Sequence, residues 1–194
     1  MNEHKELLQK WLKVLFYVKI ASMAITVINA ATYWDNITAW ILKSVNVVVL
    51  WSLFQLKDVN PRYRTAAITK LVALICVLLT APVNMRVGLS SILLLVGSTA
   101  GWVASYQEYH GHGELVEEMD AKLAKKWKDL FVWEIVIGLG ISFISVGATT
   151  VLVAAGAASS NITTAIILLS SLSSLVLEAL YLLYMKRTLD LLNH

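Results

Sequence analysis

Five ionisable residues sit where the surrounding sequence is apolar: Lys19, Lys43, Lys70, Glu134 and Glu178. A charge in hydrocarbon is costly, so such groups are paired, neutralised by a proton, or turned toward a polar cavity. Depth separates the five. At a rise of about 1.5 Å per residue, the three lysines lie roughly 8–12 Å from the nearest polar end of their segments. A lysine stem carries its ammonium over much of that distance. Glu134 is about one helical turn inside its segment and stays near water. Glu178, in LSSLVLEALYLLY, is about two turns from Lys186, too deep for its short side chain to reach the headgroups. It needs a proton, a partner or a cavity, and Lys70 and Lys19 lie at matching depth. A structural ion pair pinning helices together is one account; a site for a proton, a cation or a polar solute is the other. Asn46, close to Lys43, either bonds helix to helix or lines the same path.

A second group lies in EYHGHGELVEE. Imidazoles beside carboxylates suit a divalent metal such as zinc, with His110, His112 and Glu114 as the candidate ligands. His-x-His by itself carries little information, and Gly111 and Gly113 read better as a hinge that leaves the histidines in water. HExxH, a Walker loop, a GxSxG elbow and paired intramembrane aspartates are all missing from the sequence. The serine-rich last segment has no histidine at its depth to activate a hydroxyl. The expectation is a non-enzymatic protein with no cofactor.

The elements that hold these residues follow from composition. The chain has 194 residues, of which 58% are apolar and only 15% charged. Six segments reach the roughly 20 apolar residues that cross a bilayer. They are residues 12–32, 37–56, 65–83, 87–106, 130–157 and 162–185. The segments SILLLVGSTAGWVA and AIILLSSLSSLVL carry no charged face, which excludes a soluble helical domain. The single Cys76 permits no intrachain disulfide and reads as a buried, inert thiol. A net charge of +3 without a basic, aromatic-rich block argues against nucleic-acid binding.

Connections alternate in charge. TYWDN, PVNMR and ASSN are short and hold one basic residue between them, Arg86. The opposite side holds Lys5, Lys10, Lys13, Lys57, Arg62, Arg64, Lys122, Lys125, Lys126, Lys128, Lys186 and Arg187. Basic residues mark the cytoplasmic face, so both termini are expected inside and the chain in the cell membrane. Trp11, Trp127 and Trp133 fall near the inner interface, and Tyr33, Trp34 and Trp40 near the outer one. The start, MNEHKELLQKWLK, is too polar and acidic for a signal peptide, which makes the first segment a retained anchor.

Between spans four and five, Val116, Met119, Leu123, Trp127 and Leu130 recur at helical spacing, predicting a cytoplasmic amphipathic helix over 114–129 that runs on into span five. It either lies on the headgroups or bundle or docks a cytoplasmic partner. Gly97, Gly101 and Ser105, and Gly138 with Ser142, form small-residue ridges for close packing within the bundle, with a second copy or with another membrane protein. The fold expected is therefore all-α, one domain of six transmembrane helices in three hairpins. The leading functional expectation is a non-catalytic membrane component, an accessory subunit or regulator working from its cytoplasmic face. The alternative is a small permease whose path is lined by Glu178, Lys70, Lys19 and Asn46.

Overall fold

A computed structural model describes residues 2–32, 35–80, 87–154 and 160–193. The three short connections, with Tyr33, Trp34 and Arg86, lie outside the described residues. So do the side chains of Asn36 and Asn161. The described residues form six α-helices and no strand: α1 (Asn2–Thr32), α2 (Asp35–Gln55), α3 (Pro61–Thr80), α4 (Val87–Val116), α5 (Ala121–Ala154) and α6 (Ser160–Asn193). Among the described residues five helices are long and apolar enough to cross a membrane; the apolar stretch of α2, Trp40–Gln55, is shorter. Each helix packs on its neighbours in the chain, most extensively α3 on α4, and α6 returns to pack on α1, so the six close into a ring.

Local chemistry defines the turns at the termini end. Asn60 caps α3, its side-chain oxygen accepting from the Arg62 amide at 2.8 Å, and Pro61 takes the first helical position, where no amide hydrogen is needed. Asp120 caps α5 in the same way, accepting from the Leu123 amide at 2.9 Å. The two turns are tied together. Glu114, near the end of α4, accepts from Arg62 at 2.6 Å and from Asn60 at 3.0 Å. Gln9 of α1 donates to the Leu192 carbonyl of α6 at 2.6 Å, placing the start of α1 and the end of α6 side by side.

The helix expected over 114–129 is divided: residues 114–116 finish α4, residues 117–120 turn, and from Ala121 α5 runs on unbroken into the fifth span, to Ala154, as expected. The glycines are not a hinge either, because α4 passes straight through Gly111 and Gly113. They serve close approach instead. A Cβ on Gly111 would lie 3.2 Å from the Tyr63 ring, and one on Gly113 would lie 3.1 Å from the Ala124 carbonyl of α5.

Burial is concentrated at the termini end. Leu8, Leu12, Leu53, Leu56, Tyr63, Val116, Leu123, Trp127, Met185 and Leu189 belong to one core. Farther along the helices, large apolar side chains such as Leu95, Phe143, Val146 and Leu168 face outward, as a lipid-bathed surface requires. Helices of 30 to 34 residues are roughly 45–50 Å long, well beyond the hydrocarbon thickness of about 30 Å. Their extra turns at the termini end carry this core.

Of the small residues, Gly97 lies against α3, where a Cβ would come 3.0 Å from Cys76 Cβ; Gly101 and Gly138 have nothing within 4 Å. Ser142 bonds back to the Gly138 carbonyl. Gly97→Leu should therefore destabilise the protein by about 1–3 kcal/mol through overpacking. Gly101→Ala should be neutral or stabilising by up to about 1 kcal/mol. Equilibrium unfolding in mixed micelles checks the contrast, and equal effects would break the assignment of the α3–α4 contact to Gly97.

Candidate functional site

A buried polar network lies where α3, α4 and α6 meet. Its hub is Glu108, whose side chain is 2% exposed. Tyr181 of α6 donates to Glu108 Oε1 at 2.7 Å, and the Lys70 ammonium of α3 lies 3.8 Å from Oε2. His112, one turn after Glu108 and fully buried, places Nε2 3.3 Å from the Tyr181 hydroxyl and Nδ1 2.8 Å from the Tyr63 hydroxyl. The carboxylate determines the direction of this chain, because an ionised carboxylate only accepts. Tyr181 spends its proton on Glu108, so its oxygen accepts from His112 Nε2–H. His112 Nδ1 bonds the Tyr63 hydroxyl on the other side, so one imidazole links the two tyrosines behind Glu108.

Aromatic rings wall the network. Trp127 stacks near His112 with ring centres 4.7 Å apart and meets Tyr181 edge-on at 5.2 Å, while its indole N–H donates to Thr188 at 3.1 Å. The Lys19 ammonium sits over the Tyr181 ring, 4.8 Å from its centre. Such a wall excludes water and strengthens each polar contact inside it.

Two cavities adjoin the network. The larger, about 360 Å³, is lined by Lys43, Asn46, Lys70, Trp102, Ser105 and Glu134 among others. The smaller, about 180 Å³, is lined by Lys19, Ser105, Tyr109, Glu134, Glu178 and Tyr181 among others. Ser105 and Glu134 belong to both walls, and Ser105 donates to Glu134 Oε1 at 3.0 Å. The remaining oxygens, Glu134 Oε2 and Glu178 Oε2, are sealed from solvent and make no hydrogen bond.

The intramembrane residues singled out from sequence are thus all cavity-lining, but their pairing is different. Lys70 faces Glu108, not Glu178. Glu178 shares its cavity with Lys19, yet no ion pair joins them among the described residues. Lys43 rests over the Trp40 ring at 4.6 Å, and Asn46 bonds to the Leu42 carbonyl of its own helix. The candidate metal ligands are spread apart. His112 turns into the network, His110 stacks on Tyr106 at 4.0 Å, and Glu114 holds Arg62 and Asn60. Among the described residues no group of three His, Cys, Asp or Glu side chains is placed to hold a metal ion. His112 is not solvated, as the hinge reading required.

No family model, curated protein or solved structure matches the chain. The geometry alone therefore carries the reading. Tyr63, Tyr181 and Thr188 have no place among the candidates from sequence, and Glu108 enters there only as one of the carboxylates beside the histidines. The one local signal was the four-residue spacing of Glu108 and His112, which puts both on one helix face.

Glu108→Ala should lower stability by about 3–5 kcal/mol, because it strands the Lys70 ammonium. Tyr63→Phe should cost about 1–3 kcal/mol for the lost bond to His112. Glu178→Gln should cost less than about 1 kcal/mol, since no ion pair is broken. Unfolding of the three variants in one detergent gives the ranking; a Glu178 effect as large as that of Glu108 would contradict the network. A second expectation concerns access. In a Cys76→Ala background, Ser105→Cys should react with a small charged methanethiosulfonate, whereas Leu95→Cys, on an outward apolar face, should not. Failure of Ser105→Cys to react would mean the cavities are closed to water.

Proposed function

We propose that the protein is a small permease of the cell membrane that moves a polar solute, with six spans in three hairpins and both termini in the cytoplasm. The observation that carries this is the pair of charged cavities meeting at Ser105 and Glu134. Setting five half-buried ionisable groups around open space among apolar segments is unfavourable unless that space takes water or a polar ligand, and such groups in a membrane mark solute and ion pathways. The larger cavity has the size of a small-molecule site. Orientation rests on the basic side chains, which cluster at the end where α1 begins and α6 finishes. The network around Glu108 supplies a rigid floor at that end, and any opening there requires α3, α4 and α6 to part.

The accessory-subunit reading depended on a free apolar stripe over 114–129. Val116, Leu123 and Trp127 are buried in the chain's own core, and Met119 alone of that stripe is left on the surface. A partner or second copy would instead use the small-residue face at Gly138, which no other helix covers closely.

Proteoliposomes given an inward gradient of glycine, acetate, methylammonium, urea or glycerol should swell faster than protein-free vesicles for at least one solute. Glu134→Gln should slow that entry about tenfold or more, the scale of one lost charged hydrogen bond. Rates equal to those of protein-free vesicles for the whole panel would sink the permease reading.

A further inference from the structure

We infer that the larger cavity binds a small free zwitterion, a solute of amino-acid size with a carboxylate at one end and a protonated amine at the other. This deepens the permease reading by naming its substrate class. The walls of the cavity carry charges of both signs from three helices, Lys43 from α2, Lys70 from α3 and Glu134 from α5, with the Ser105 hydroxyl of α4 beside the last. Each of the three charged groups has unmet capacity. The Glu134 carboxylate lines the cavity and accepts from Ser105 at Oε1, with no cation within ion-pair distance among the described residues. A charge in that state at membrane depth costs free energy until a cation reaches it. The Lys70 ammonium is 3.8 Å from its nearest carboxylate oxygen, on Glu108, which leaves it short of a true hydrogen bond and open to a closer acceptor. Lys43 has a ring face at 4.6 Å and no carboxylate within ion-pair distance among the described residues.

Two ammonium groups and one carboxylate without an ion pair around about 360 Å³ form the electrostatic negative of a zwitterion. The solute carboxylate would lie between Lys43 and Lys70, and its amine would pair with the Glu134 carboxylate. A simple anion leaves Glu134 unpaired, and a simple cation leaves two lysines repelling it. Only a ligand with both charges satisfies the three groups together. Trp102 and the small residues Ala73, Gly101 and Ala104 leave room for a short apolar side chain. Because Glu134 also borders the smaller cavity, a bound amine there is one step from Glu178, a second carboxylate without an ion pair among the described residues.

Thermal unfolding of the purified chain, followed by tryptophan fluorescence in detergent, tests this. Glycine, alanine or serine should raise the midpoint in a saturable way. Acetate, methylammonium and phosphoethanolamine at equal concentration should not. Lys43→Gln and Glu134→Gln should each weaken the amino-acid effect about tenfold or more, and Lys43→Gln, which breaks no ion pair, guards against a folding defect in the other. A shift with phosphoethanolamine alone would identify a lipid headgroup and overturn the proposal. Equal shifts from acetate or methylammonium, no shift at all, or unchanged affinity in both variants would overturn it too. Binding without vesicle entry sinks the permease reading and leaves this site standing; entry of another solute without amino-acid binding does the reverse.

Discussion

Sealing the Glu108 carboxylate away from solvent obliges three helices to keep their register. An ion in a low-dielectric interior is tolerated only when its oxygens are matched by charge and donors. The match comes from Lys70 on α3 and Tyr181 on α6, while His112 on α4 orders the hydroxyls behind it. One residue of slip along a helix rotates a side chain by about 100° and would turn the Tyr181 hydroxyl away. The cavities inherit this rigidity, since Lys70 is a wall of the larger and Tyr181 a wall of the smaller. A structural knot and a candidate solute path therefore share their boundary residues.

Forces differ along the length of the bundle. Where the long helices outrun the hydrocarbon, water is the competing solvent and burying Leu12, Leu56, Trp127 and Met185 is strongly favourable. At lipid depth that drive vanishes, because a leucine is as comfortable against an acyl chain as against another helix. Packing there depends on close backbone approach, as at Gly97, and on polar contacts such as Ser105 with Glu134. Gaps can persist at that level without the penalty a soluble core would impose, and the cavities lie among the residues of that level.

Much of this was legible in the chain. Hydropathy places helices long and apolar enough to cross a membrane, and counting depth along the apolar segments finds Lys19, Lys43, Asn46, Lys70, Glu134 and Glu178, all of which border a cavity. What local sequence could not supply was pairing at a distance. Tyr63 and His112 are 49 positions apart and Tyr181 and Glu108 are 73 apart, and neither pair leaves a periodic trace. Glu108 was hidden for a second reason. A span ended at Tyr106 puts it in water, whereas α4 continues ten residues farther, to Val116. The glycines that suggested a break are the residues that let Tyr63 and α5 come close enough to extend the core around it. Loop-like composition and tight packing require the same residue type, and only the neighbours distinguish them.

The contact between Gln9 and the Leu192 carbonyl has a bearing on biogenesis. Gln9 and Leu192 are 183 positions apart, so α1 has its α2 flank from a near neighbour in sequence and gains the other only once α6 is in place. Helices in lipid are individually stable before they associate, which makes such waiting tolerable. Weakening the final turn of α6 would open that second flank of α1 and leave the other helix contacts as they are.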